Sequence, residues 1–455
     1  MVLIQQALRS QTARKAAPAL ARGLATPALT TQNAGGVKVA SSEDGSRTSS
    51  ISVVVKSGAR YEPAPGVAHV LKNSVFKVRS PHPPILIAPT PALAHATNKR
   101  SQIRLVRETE ALGGVLSTSL SREHLVLTAE FLKGDEAYFA EALGDAVTQP
   151  KFPVYEYNEE VVPQVQAEYE QAIHDSRVYA LDLAHQLAFR KGLGNSLFAS
   201  PHTAVDHSTL VSFAQASFTP TNIAIFGQNI DAGKLASLVS DFFASGASSS
   251  SSISTPQSQY YGGEVRIPAV GHSSTDELLI AFKGAARTEV DYAVLAVLLG
   301  GQASVKWGAG ASPLAKLASS TSSAQAFNLG YSDAGLFGIS VSAKTNDVAD
   351  VATKALAELK NVAKGVSDDL VKQAVAKAKF AAAAALETRE GKTLVLGEQL
   401  ASGGEAPAID DIFAKLDKVT GESLAKAAKN ALASKPTTVA VGNTHALPYA
   451  DSLGL

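Results

Sequence analysis

The sequence predicts an α+β protein of two homologous domains, each a mostly antiparallel sheet covered by helices. Three observations lead there: a serine-rich break near the middle, the same order of strand and helix patterns on both sides of it, and enough apolar residues for two cores. Of the 455 residues, 45% are hydrophobic, and a chain of this length ordinarily divides into two or more domains. Residues 246–259 are rich in serine and have little to bury, so they read as a linker. The expected organisation is a leader over 1–25, a first domain over 26–245, the linker, and a second domain over 260–455.

The elements repeat in order. Residues 37–41 and 50–56 read as strands around an Asp44-Gly45 turn, and 263–267 with 277–283 repeat that layout, so each half is expected to open with a hairpin. An apolar helical segment follows at 67–76 or 290–299. Strands at 115–117 and 125–130 have counterparts at 325–329 and 335–343. Helices at 135–147 and 346–362 come next, and the later half continues with Leu370, Val371, Ala374 and Ala378 at helical spacing. The closing strand is 222–226 in one half and 437–441 in the other.

Charge excludes one class of partner. Lys plus Arg number 41 and Asp plus Glu number 41, for a net charge of 0, so no overall field draws the chain to nucleic acid. There is no Cys, which removes disulfides and thiolate chemistry but leaves histidine and carboxylate sites open. No apolar run approaches the roughly 20 residues of a spanning helix, so membrane association is expected to be peripheral. The segment before Glu43 lacks Asp and Glu, yet carries Arg9, Arg14, Lys15, Arg22 and Lys38 among Ala, Leu, Ser and Thr. It reads as a mitochondrial transit peptide. Leu3, Ile4, Ala7 and Leu8 would form its apolar face, and Arg22-Gly23-Leu24-Ala25 resembles a matrix-processing site, with cleavage near Leu24 or Ala25.

The duplicated plan and the segment Gly66-Val67-Ala68-His69-Val70-Leu71-Lys72-Asn73 resemble the pitrilysin and mitochondrial processing peptidase family, whose active members carry His-x-x-Glu-His there. Further similarity lies in Glu110-Ala111-Leu112-Gly113-Gly114, Ser121-Arg122-Glu123, Asp182-Leu183-Ala184-His185 and Tyr261-Gly262-Gly263-Glu264. In the active motif, residues at i and i+4 of a helix hold one metal and the Glu between them activates water. Here His69 supplies one ligand, Asn73 offers a neutral amide, and Lys72 puts a cation where a carboxylate is needed. The motif is degenerate, and no catalytic residue, metal ligand or cofactor site is expected. Glu160, Glu168 and Glu170 lie where the family's third ligand would come from, and spacing does not choose among them.

Within the family, the run Ala326-Phe327-Asn328-Leu329-Gly330-Tyr331-Ser332-Asp333-Ala334-Gly335-Leu336-Phe337-Gly338 is similar to the core subunits of the ubiquinol to cytochrome c oxidoreductase (complex III). That resemblance implies a matrix-facing peripheral scaffold without haem or iron–sulfur cluster. Its partners would be core protein 1, cytochrome b, cytochrome c1, the Rieske iron–sulfur protein and other subunits. The alternative it leaves open is the non-catalytic, presequence-binding subunit of the matrix processing peptidase.

Other patterns carry no chemistry. Gly300-Gly301 and Gly308-Ala309-Gly310 lack the Lys and hydroxyl residue of a phosphate loop. His174, His185, His202 and His207 stand in no nucleophile or ligand plan, and the alanines at 381–385 favour helix. Residues 78–96 lengthen a connection that is short in the resembling family. Pro81, Pro83, Pro84, Pro89 and Pro91 disfavour helix there. Every Val codon begins with GT, so Val78 is compatible with an intron donor, and 57 nucleotides make a short intron. No Ala codon ends in AG, whereas a Lys codon does, which puts the far junction nearer Lys99 than Ala96. The segment is expected to be a retained intron translated in frame; the alternative left open is a real surface insertion that serves as a binding loop, which loop-closure cost tolerates.

Overall fold

The computed structural model describes residues 29–78, 90–94, 97–203, 205–243, 253–271, 274–301, 310, 312–404 and 407–455. The leader, residues 246–252 of the serine-rich linker and the Gly308-Ala309 pair lie outside the described residues. The first half contributes strands β1 (Thr30–Ala34), β2 (Val37–Ser42), β3 (Thr48–Val55), β4 (Phe76–Val78), β5 (Thr90–Ala94), β6 (Val115–Leu120), β7 (Leu125–Leu132) and β8 (Ile223–Gln228). They form one sheet in the order β1-β2-β8-β3-β7-β6-β5-β4. The second half contributes β9 (Gly263–Ile267), β10 (Asp276–Lys283), β11 (Ser322–Gly330), β12 (Gly335–Ala343) and β13 (Thr437–Val441), ordered β11-β12-β10-β13-β9. Each sheet has one parallel pair, β2 with β8 and β9 with β13, and is otherwise antiparallel.

That order corrects the expected opening hairpins. The last strand of each half inserts between the two strands expected to pair, so β2 and β3 both pair with β8 and never with each other, while β2 pairs on its other side with the edge strand β1. Residues 43–47 cross over the end of β8, a span of two strand spacings or about 10 Å. Asp44 accepts the Ser46 N–H within the crossing. β8 suits a central place because all six of its residues are buried, as expected for a strand covered on both faces. Repetition of the same insertion in the second half, with β13 between β9 and β10, supports duplication more strongly than element order does.

One face of each sheet is covered by its own half. In the first half, helices Val67–Val75, Glu136–Thr148 and Ala232–Phe243 pack on the sheet around Leu71, Phe139, Leu143 and Leu235. In the second, Val348–Lys364 and Gly421–Ala433 do so around Leu356, Leu359 and Leu424. The opposite faces are covered by exchange. Helix Ser176–Phe189 belongs to the first half, yet Ala180, Ala184 and Ala188, four apart on one face, pack against Leu279, Leu336, Val439 and Val441 of the second sheet. Reciprocally, Leu396 and Leu400 of the second half lie against Ala40, Ala224 and Phe226 of the first sheet. Burial of these faces makes each half a part of the other's core.

The long connection begins and ends in strand pairing. β4 pairs with β5, and β5 pairs with β6, including Pro91 opposite Ser117. Of this segment, residues 79–89 and 95–96 lie outside the described residues.

Candidate functional site

Helix Val67–Val75 starts at Gly66, whose φ of +85° favours glycine and where a Cβ would stand 2.4 Å from Ala199 Cβ. This close approach brings residues 198–199 beside the helix. His69, Lys72 and Asn73, at i, i+3 and i+4, share the face turned to helix Val162–His174. All three converge on one oxygen of Glu168. His69 Nε2 lies 2.6 Å from Glu168 Oε2, Lys72 Nζ 3.0 Å and Asn73 Nδ2 3.1 Å. Of the three glutamates that spacing left open, geometry therefore selects Glu168; Glu160 instead accepts from Gln102, and Glu170 is exposed.

The cluster is closed to solvent, with side-chain exposures of 3% for His69, 9% for Lys72 and 6% for Glu168. Burial works against ionisation of Glu168, but the hydrogen bonds from His69 and Asn73 and the Lys72 ammonium hold its carboxyl far below the usual range. It is an anion with its countercharge built into the chain.

A zinc ion does not fit these residues. The Lys72 ammonium stands against the carboxylate that the metal would use, and like charges cannot share that position. Asn73 presents its amide N–H group, not a lone pair, to Glu168. The His69 tautomer is also set against a metal. Ala199 N–H donates to Nδ1 at 3.1 Å, so the ring proton sits on Nε2, where it faces Glu168 and leaves no lone pair for a cation.

Residues 92–200 match the family described as Insulinase (Peptidase family M16), and residues 204–378 match the Peptidase M16 inactive domain. A protein of Cryptococcus neoformans named cytochrome b-c1 complex subunit 2, mitochondrial, is 42% identical over 93% of this chain and 94% of its own length. The chain belongs to the cytochrome b-c1 complex subunit 2 family, within peptidase family M16. The Neurospora crassa protein of the same name is 36% identical over 99% of this chain and 97% of its own, and the human one 27% over 92% and 90%. The chain is thus a mitochondrial, complex III type of M16 protein whose peptidase motif is degenerate. No helix among the described residues is long and apolar enough to cross a membrane.

Three of the family segments quoted from the sequence, Ser121-Arg122-Glu123, Asp182-Leu183-Ala184-His185 and the run through Tyr331-Ser332-Asp333, meet away from the motif, where the two halves touch. The β6–β7 turn holds Ser121-Arg122-Glu123, and the β11–β12 turn holds Tyr331-Ser332-Asp333. Glu123 accepts from the Ser332 backbone N–H at 3.1 Å and hydroxyl at 2.6 Å. Buried Arg60 joins Glu123 and Asp333, each at 2.7 Å. Arg122 pairs with Asp182 at 2.7 Å on the exchanged helix, and three residues on His185 Nε2 accepts from Tyr331 Oη at 2.7 Å. On the reciprocal side Glu398 pairs with Arg287 at 2.9 Å. Although burial alone would raise it, His124 and Arg287 hold its carboxyl down to about 2.

Sequence reasoning quoted Arg122, Asp182 and Tyr331 but gave them no role, and it missed Arg60, Arg287 and Glu398. Each is a charge whose partner lies far along the chain, so local pattern carries no signal for it. The other histidines singled out in the sequence have structural partners or are exposed: His174 meets the Glu170 carbonyl, His207 the Phe152 carbonyl, and His202 is at the surface.

Proposed function

We propose that the chain is a non-catalytic core scaffold of mitochondrial ubiquinol–cytochrome c oxidoreductase, needed for its assembly and stability. It would act as a peripheral subunit on the matrix side of the inner membrane. Core protein 1 is its expected immediate partner, within an assembly that includes cytochrome b, cytochrome c1 and the Rieske iron–sulfur protein. The observation that carries the reading is the Lys72–Glu168 pair at the centre of the motif, which converts a metal site into a packed ionic contact. The exchanged helices support it, because two halves that complete each other's cores present partners with a single fixed surface.

Gentle detergent purification of the complex from mitochondria tests the proposal. Stoichiometric recovery with cytochromes b and c1 is the expected result. Recovery with a zinc-bearing processing subunit, without the cytochromes, would assign the chain instead to presequence binding.

A further inference from the structure

A cavity of about 630 Å³ lies beside the motif cluster, between helices Val162–His174 and Ser176–Phe189 and the loop that carries Phe198. It lies within the size range of small-molecule sites. Its wall is apolar at Ile173, Leu183, Leu187, Phe198 and Val265. Its polar fittings include groups that can donate to an anion. Tyr169 and Tyr179 line it, and neither hydroxyl has a hydrogen-bond partner among the described residues. Two charged residues line it, Asp182 and Arg190. Asp182 is neutralised by Arg122 and also accepts from Ser196 and the Leu197 N–H. Arg190 has no carboxylate partner among the described residues, and its guanidinium carbon sits 4.1 Å from the centre of the Tyr261 ring. The cavity therefore carries one unneutralised positive charge.

The backbone at Arg190 adds an independent observation. Its φ is +62° and ψ −54°, and the Lys191 N–H reaches back to the Phe189 carbonyl at 2.7 Å. This is the rare, strained hand of the γ-turn, which an L side chain adopts at a cost and glycine adopts freely. Strain of this kind persists where a side chain must be held in one place. Here it holds a guanidinium against an aromatic face at the mouth of a partly apolar cavity.

We propose that this cavity binds an amphipathic organic anion, with the carboxylate on Arg190 and the Tyr169 and Tyr179 hydroxyls and an apolar chain along Leu183, Leu187 and Val265. The charge pattern disfavours a basic peptide. A charge-assisted contact to the guanidinium is roughly twice as strong as a neutral one, so the charged head sets the selectivity.

The test uses the purified full-length mature chain and calorimetric titration with decanoate, kept below its micellar concentration so that a free anion is the probe. Decanol and decyltrimethylammonium serve as neutral and cationic controls. Saturable decanoate binding is expected, weakened about tenfold or more with decanol and lost with the cation. Arg190→Gly is expected to melt no lower than the parent, because it relieves the turn, and yet to lose decanoate affinity by about tenfold. Leu187→Trp, which fills the cavity, is expected to abolish binding while Arg190→Gly keeps the fold. Equal binding of all three probes, unchanged decanoate affinity in Arg190→Gly, or no saturable binding of decanoate would overturn the proposal.

Discussion

Replacing Lys72 by Met keeps an unbranched chain one atom shorter and removes the ammonium from the buried cluster. Glu168 then retains hydrogen bonds from His69 and Asn73 but loses the charge that balances it. Removal of one partner from a buried ion pair costs about 3–5 kcal/mol, because the remaining charge stays desolvated. Because the two halves share their cores and melt together, that lowers the melting midpoint by roughly 5 °C. The loss depends on pH in a defined direction. The Glu168 carboxyl is held below its ordinary value in the folded chain, so the stability it contributes is present above about pH 4.5 and disappears as pH falls below it. Without Lys72 that depression shrinks, so parent and variant differ most near neutral pH and converge in acid. Adding Glu168→Gln to the Lys72→Met chain removes the orphaned charge and is expected to recover most of the lost midpoint. Calorimetric or fluorescence melts of the four chains of this cycle, at neutral and acidic pH, measure the coupling directly. A midpoint change under about 2 °C in Lys72→Met, or no recovery in the double variant, would refute the assignment of Lys72 as the resident cation.

Three further outcomes are expected. Burial, with the nearby Arg122 charge, pushes the His185 imidazole down to about 3 from 6.5. The unfolded chain thus takes up a proton that the folded chain refuses, and stability falls by up to about 1.4 kcal/mol per unit as pH drops through that window. Urea unfolding as a function of pH should show this slope in the parent and a flatter one in His185→Gln; equal slopes would remove His185 as the cause. Mass spectrometry of the assembled protein should find its N-terminus near Leu24 or Ala25, and a dominant form beginning at Met1 would contradict processing. Digestion with a protease that spares lysine should yield a peptide joining the neighbourhood of Lys77 directly to the region 97–100; abundant peptides covering 80–96 would show that the long connection is part of the mature protein.

The sequence disclosed the kind and order of the elements better than their neighbours. Strand 437–441 and strand 335–343 appear in the structure with the same bounds, because β-branched and aromatic residues there are flanked by turn residues. Strand β1 was not anticipated, since Thr30-Thr31-Gln32-Asn33 is polar and exposed and pairs at a sheet edge. The position of β8 between β2 and β3 was hidden for a different reason. Periodicity reports which face of a strand is buried, while the identity of its neighbour depends on residues some 180 positions away. The site divides in the same way. His69, Lys72 and Asn73 were legible because helical spacing puts them on one face, whereas Glu168 became distinct from Glu160 and Glu170 only when the second helix was placed against the first. The tautomer of His69 is set by a backbone N–H from Ala199, a contact with no sequence signature.

The central claim is that this chain supports complex III through its fold and not through peptide cleavage. It is tested most directly by deleting the chain and restoring it with the Lys72→Met, Glu168→Gln form, whose motif cluster has lost both of its charged members. Native gels of solubilised mitochondria, with the cytochrome c reductase activity of the assembled band, give the readout. Without the chain, the assembled complex and its activity should be lost while presequence cleavage in matrix extracts continues, and the doubly substituted chain should restore assembly to the parental level. A fully assembled complex in the chain's absence, or loss of presequence cleavage together with the chain, would contradict the account.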